Sequence, residues 1–228
     1  MNVLAMDTSN DVLGLSIVKD GIVAGELMTN VKKNHSIRLM PAIDQLMRDT
    51  QTKPEELDRI AVAHGPGSYT GVRIGLTTAK TMAWSLGIPV VGISSLKALA
   101  SQGRLYEGYI CPFFDARRGL VYTGLYDTKL NLIKEETNLL MSDWLASLKD
   151  LNAPILFLSQ DIALHKDMIE EYLGDQAVIA DAGCHYPSPS YLALAAMEKE
   201  PASLHELVPN YLRIPEAEAK WLAQQEKR

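Results

Sequence analysis

The chain has 228 residues, 47% hydrophobic and 22% charged, with a formal net charge of −6. This is the balance of an ordinary globular protein with enough chain for one large core or two small ones, and the negative sum argues against a broad basic surface for nucleic acid. Cys111 and Cys184 belong to no CxxC or ligand cluster, no basic-then-apolar leader opens the chain, and no apolar run nears the roughly 20 residues of a bilayer span, so a reducing cytoplasm and no membrane partner are expected.

In chain order, Asn2–Thr8 reads as a buried strand, because Val3, Leu4, Ala5 and Met6 are apolar without alternation. Asp11–Lys19 alternates, Asp20-Gly21 signals a two-residue hairpin, and Ile22–Met28 is a third strand. Asp7, Thr8 and Ser9, at the end of the first strand, have the side chains that bond backbone amides in turns.

A helix is predicted within Ser36–Thr50, with Pro41 in its first turns or kinking it. Ile37, Leu39, Met40, Ala42, Ile43, Leu46 and Met47 make an apolar band wider than one stripe. It is read either as packed under a neighbouring loop or as facing its own sheet and a partner. After a strand at Arg59–Ala63 comes His64-Gly65-Pro66-Gly67-Ser68-Tyr69-Thr70-Gly71-Val72-Arg73-Ile74-Gly75. Its glycines allow close backbone approach at a helix start. It is neither a GxxxxGK[ST] loop nor a dinucleotide fingerprint, and Lys80 is too far along to serve as a phosphate-loop lysine. The helix runs over Thr70–Leu86. Gly75, Ala79 and Ala83 form a ridge of small residues that suits a sheet or a second helix alike. Pro89–Ile93 closes this half as a strand.

A boundary falls near Ser101–Gly108, where Gly103 and Gly108 break the pattern. Strands are predicted at Cys111–Phe114, Leu120–Tyr126, Leu130–Thr137, Pro154–Leu158 and Ala177–Ile179. Helices are predicted at Ser142–Lys149 (capped by Ser142), Ile162–Leu173, Tyr191–Lys199 and Glu216–Gln225. Both halves open with apolar strands, a hint of duplication. Asp115, with Arg117 and Arg118, reads as a solvated turn with a local ion pair in preference to a catalytic acid beside anion-binding arginines. His35 reads as a cap or surface residue, His64 as a strand-end residue, and the Cys184-His185 pair as core or loop. The histidines show no metal-ligand spacing, and Ser68 lies outside any GxSxG nucleophile motif.

Three segments together carry a resemblance. The Met6-Asp7-Thr8-Ser9 start, the glycine loop read as GPGS-aromatic-TG-x-RIG, and Pro209-Asn210-Tyr211-Leu212-Arg213 resemble the TsaB family of bacterial tRNA threonylcarbamoyladenosine biosynthesis. The Asp115-Ala116-Arg117 and Val121-Tyr122 segment extends the match. The resemblance implies an α/β, two-lobed, actin-like and ribonuclease H-like (ASKHA) fold. The first lobe is expected over residues 1–103, completed by a C-terminal helix in 210–228, and a degenerate second lobe over 104–209. The family is similar to the catalytic TsaD. TsaD has an HxxxH metal motif after the strand matching Pro89–Ile93, where this chain reads Gly92-Ile93-Ser94-Ser95-Leu96-Lys97. No catalytic residue, metal or tightly held cofactor is therefore expected, and ATP or ADP belongs to the assembled complex.

The implied role is a scaffold that binds TsaD through first-lobe helices and supports recruitment of the ATPase TsaE. Alone, the chain is expected to form a homodimer, and it touches tRNA only indirectly. The partner surface is expected to use Ile37, Met40, Ile43, Met47, Tyr69, Thr70, Val72, Arg73, Gly75, Leu76, Ala79 and Ala83. An arginine at Gly75 or Ala79 is expected to block pairing and leave the lobe folded. Two other classes are weighed. An actin-like small-molecule kinase would use Asp7, Thr8 and Ser9 on ATP phosphates, with Asp181-Ala182-Gly183 as a second phosphate motif. A metalloprotease would need clustered ligands that the sequence lacks.

Overall fold

The computed structural model describes residues 1–31, 34–201 and 203–212; the helix expected at Glu216–Gln225 lies outside the described residues. Two five-stranded sheets form the frame. In the first, β1 (Asn2–Asp7), β2 (Val12–Lys19) and β3 (Ile22–Asn30) run antiparallel. After α1 (His35–Asp49), β4 (Arg59–Ala63) pairs parallel with β1. After α2 (Tyr69–Leu86), β5 (Val90–Ile93) pairs parallel with β4. The order is β3-β2-β1-β4-β5. Asp20 and Gly21 turn the first hairpin at φ +50° and +81°, the left-handed pair of a tight two-residue loop.

The second sheet repeats this plan. After α3 (Ser95–Ala100), β6 (Tyr109–Asp115), β7 (Leu120–Tyr126) and β8 (Leu132–Leu140) are antiparallel. After α4 (Met141–Leu148), β9 (Ile155–Leu158) joins β6 in parallel. After α5 (Ile162–Leu173), β10 (Ala177–Ile179) joins β9. The order β8-β7-β6-β9-β10 matches that of the first sheet, so the hint of duplication is a repeat of topology.

Helices cover both faces of each sheet's inner strands, whereas the edge strands β3 and β8 are exposed or half-buried along their length. α1 and α2 press Leu39, Ile43, Leu76 and Ala79 onto Leu4, Met6, Ile60 and Val62. α4 and α5 do the same for the second sheet with Trp144, Leu145 and Ile169. The remaining faces are covered by exchange. α3 follows the first sheet's last strand but packs Leu96 and Leu99 on Ile110, Phe114 and Leu156 of the second. α6 (Pro189–Glu198) follows the second sheet's last strand but packs Leu192, Ala193 and Ala196 on Val3, Ala5, Ala61 and Val91 of the first. Ser16 Oγ donates to the Pro189 carbonyl at 2.8 Å, and the Arg59 guanidinium donates to the Ala196 carbonyl at the other end of α6. The segment 104–209, read as one lobe, thus includes a helix seated on the first sheet.

Local corrections are few. α3 is absent from the sequence reading. Ser142 sits inside α4, whose N-cap Leu140 makes no side-chain bond, and α6 starts at Pro189 under a Ser188 cap. Pro41 lies within α1, which runs on to Asp49. Among the described residues no helix is long and apolar enough to cross a membrane.

Candidate functional site

The two sheets present matching turns. Asp7 ends β1 and accepts the Ser9 amide at 2.8 Å; Asp115 ends β6 and accepts the Arg117 amide at 3.0 Å. Between the lobes lies a cleft of about 430 Å³, lined by Asn10, Asp11 and Gly67–Tyr69 from the first lobe and by Asp115–Arg117, Tyr122, Gln160 and Asp161 from the second.

Asp7, Thr8 and Ser9 lie beneath this cleft, not on its wall, at 4%, 1% and 0% exposure. The glycine loop is moulded onto them. A Cβ at Gly67 would fall 2.2 Å from the Ser9 carbonyl oxygen, at Gly71 2.1 Å from that of Thr8, and at Gly75 2.5 Å from Thr8 Oγ1. Thr8 Oγ1 donates to the Gly71 carbonyl at 2.7 Å, and the Ser68 amide donates to the Ser9 carbonyl at 2.7 Å. The close approach that the glycines permit is thus filled by the protein's own backbone. Burial raises the Asp7 carboxyl above its ordinary range, against the pull of the Ser9 hydrogen bonds, and its Oδ2 has no hydrogen-bond partner. His35 begins α1, and its Nε2 bonds the Asn10 carbonyl at 2.7 Å. It ties the helix to this turn and is not the cap, a role taken by Asn34.

The second turn is built otherwise. Arg117, Arg118 and Gly119 are left-handed at φ +65°, +57° and +76°. Asp115 also has a distant partner: its Oδ1 lies 3.0 Å from Nε2 of buried His165 on α5. Its amide donates to Asp161 Oδ2 at 3.0 Å. The cleft wall offers Asp11, Asp115 and Asp161 against the guanidinium of Arg117, and the hydroxyl of Thr8 is engaged elsewhere. Asp181 is exposed before a 3-10 turn at Ala182–Cys184 and lines none of this cleft. Among the described residues no group of three or more His, Cys, Asp or Glu is placed to hold a metal ion. His185 Nδ1 accepts the Ser159 amide at 3.2 Å, a role within the fold.

The residues expected at a partner surface divide sharply. Ile43, Met47, Val72, Gly75, Leu76, Ala79 and Ala83 are turned into the first lobe's own core. The small ridge therefore serves helix-on-sheet packing, and Arg at Gly75 or Ala79 would break the lobe before it touched a partner. Ile37, Met40, Tyr69, Thr70 and Arg73 face outward, Ile37 at 70% and Met40 at 51% exposure. Two further residues, absent from the sequence reading of the surface, join them. Trp84, 76% exposed, lies three turns beyond Arg73 on the same helix, a spacing that would have revealed it. Tyr211 stacks on Tyr69 with ring centroids 5.3 Å apart, and Arg73 lies 4.0 Å over the Tyr69 ring and donates to the Tyr211 hydroxyl at 2.6 Å.

Two mixed sheets of one strand order, facing each other across a cleft with an aspartate turn on either side, define a protein of the actin-like, ribonuclease H-like (ASKHA) class. A family model described as "TsaD: tRNA N6-adenosine threonylcarbamoyltransferase" matches residues 25–221. The chain is 52% identical to the tRNA threonylcarbamoyladenosine biosynthesis protein TsaB of Bacillus subtilis, over 99% of this chain and 100% of that protein. YeaZ from Pseudomonas aeruginosa has the same fold, with a TM-score of 0.76 and 24% identity over 92% of this chain and 99% of that one. So does a P. aeruginosa protein described as similar to peptidase YeaZ, with a TM-score of 0.80 and 24% identity over 93% and 99%. The chain belongs to the TsaB family, within the wider family that the TsaD model describes.

Proposed function

We propose that this chain is the non-catalytic TsaB subunit of the complex that moves threonylcarbamoyl from threonylcarbamoyl-AMP to N6 of adenosine 37 in tRNAs reading ANN codons. It docks on TsaD through the outward faces of α1 and α2 and supports TsaE recruitment; tRNA is held by the partners. One observation carries the reading: Ile37, Met40, Tyr69 and Trp84, large apolar and aromatic side chains of α1 and α2, stand in solvent. Exposed patches of this kind mark interaction sites, and Tyr, Trp and Arg are the residues that anchor them. Without TsaD, the same face would bring two copies together about a two-fold axis.

Reconstitution of tRNA modification from TsaD, TsaE and the adenylate, with and without the chain, is the test. The product requires the chain; full product without it overturns the reading. Met40→Glu with Trp84→Ala changes only exposed side chains, so it leaves the melt intact and removes co-elution with TsaD on a sizing column. Undiminished co-elution would place the contact elsewhere.

A further inference from the structure

The charge of this molecule is sorted between two hollows. The interlobe cleft is rich in carboxylates, whereas a second hollow of about 570 Å³ gathers Lys97, Arg104 and Lys199 around the carboxyl ends of β4 and β5. Its remaining wall is His64, Ser94 and one carboxylate, Glu198, with Tyr191, Leu194, Ala195 and Ile93 as the less polar side. None of the three cations is in an ion pair among the described residues, although the chain as a whole is acidic. Lys199 Nζ is steadied by the Gly92 carbonyl at 2.9 Å. Ser94 is already committed to Glu136 and to the Lys97 amide. The His64 ring bonds the Val208 backbone, and its Nδ1 is buried without a partner. Unpaired cations held together on one concave wall repel one another, and a bound anion relieves that repulsion. The crevice outside the carboxyl ends of parallel strands is also where open α/β sheets take ligands, and this volume suits a small molecule.

We propose that this hollow binds a phosphate-bearing small molecule, with the phosphate on Lys97, Arg104 and Lys199 and the rest of the molecule along Tyr191, Leu194 and Ala195. Calorimetric titration of the full chain with diphosphate and with AMP tests it. Saturable binding is expected with at least one probe. Tighter AMP than diphosphate assigns the organic part to the Tyr191 side, and the reverse assigns a free inorganic anion. Arg104→Gln and Lys199→Gln, both at exposed positions, are each expected to weaken binding about tenfold with an unchanged melt. Lys166→Gln, on the far helix α5, is expected to leave it unaltered. No saturable heat with either probe, equal loss in the Lys166 control, unchanged affinity in both pocket variants, or affinity for RNA alone would each overturn the assignment.

Discussion

The two lobes share a strand order and use it differently. In the first, the turn after Asp7 is sealed under the glycine loop, with backbone packed on backbone at distances that exclude a Cβ. In the second, the turn after Asp115 stands open at the cleft, bends through three left-handed residues and is braced by His165 from another element. A sealed turn fixes structure, whereas an open one leaves side chains on a surface. One topology can therefore present a closed turn on one side and an open turn on the other, provided something fills the closed one. Here the filler is the chain itself.

The largest expected effect lies in the sealed turn. Gly71→Ala places a methyl 2.1 Å from a backbone oxygen, whereas Gly183→Ala meets nothing within 4 Å. The first is expected to cost about 1–3 kcal/mol or more in urea unfolding, and the second to stay within about 0.5 kcal/mol. Equal costs would mean that the backbone contact at Gly71 is not tight.

The next effect concerns Asp7. Its carboxyl is raised in the folded state by burial, so the folded protein holds more protons than the unfolded chain just above the ordinary carboxylate range. Stability therefore falls as pH rises through that window, and the loss is complete above the folded-state value. Asp7→Asn keeps the acceptor for the Ser9 amide and removes the charge. It is expected to unfold later than the parent at neutral pH, with a flatter dependence as pH rises above the ordinary carboxylate range. A steeper dependence would contradict the sealed turn.

The smallest effect is chemical. Cys111 is buried beside Trp144 Nε1 at 3.2 Å, and burial pushes its thiol up to about 11. Cys184 is partly exposed. Alkylation of the native protein at neutral pH is expected to label Cys184 and leave Cys111 until denaturant is added; early labelling of Cys111 would mean that the second core opens readily.

Much of the frame was legible. β4, β7, α5 and β10 fall at the expected residues because their apolar runs end at strong punctuation. α3 escaped because Ser95, Leu96, Ala98, Leu99 and Ala100 are buried on all sides between the two sheets, which erases the one-sided pattern that marks a surface helix. The ridge of Gly75, Ala79 and Ala83 was visible, but spacing alone does not say whether a sheet or a subunit faces it. The Asp115 partner was invisible, since His165 lies 50 residues away and nothing local announces it. On the surface, Ile37 and Met40 follow from the over-wide apolar band, whereas Trp84 is marked only by its three-turn spacing from Arg73, which is legible once Arg73 is placed on the outer face.

The reciprocal placement of α3 and α6 has a consequence for synthesis. All five strands of the first sheet have been made by Ile93, yet the side formed by Val3, Ala5, Ala61 and Val91 stays bare until Leu192, Ala193 and Ala196 leave the ribosome. The amino-terminal half thus waits, incomplete and adhesive, for nearly the whole polypeptide. Genes cut near codon 104 would yield two fragments that each lack a wall, and solubility would return only on coexpression.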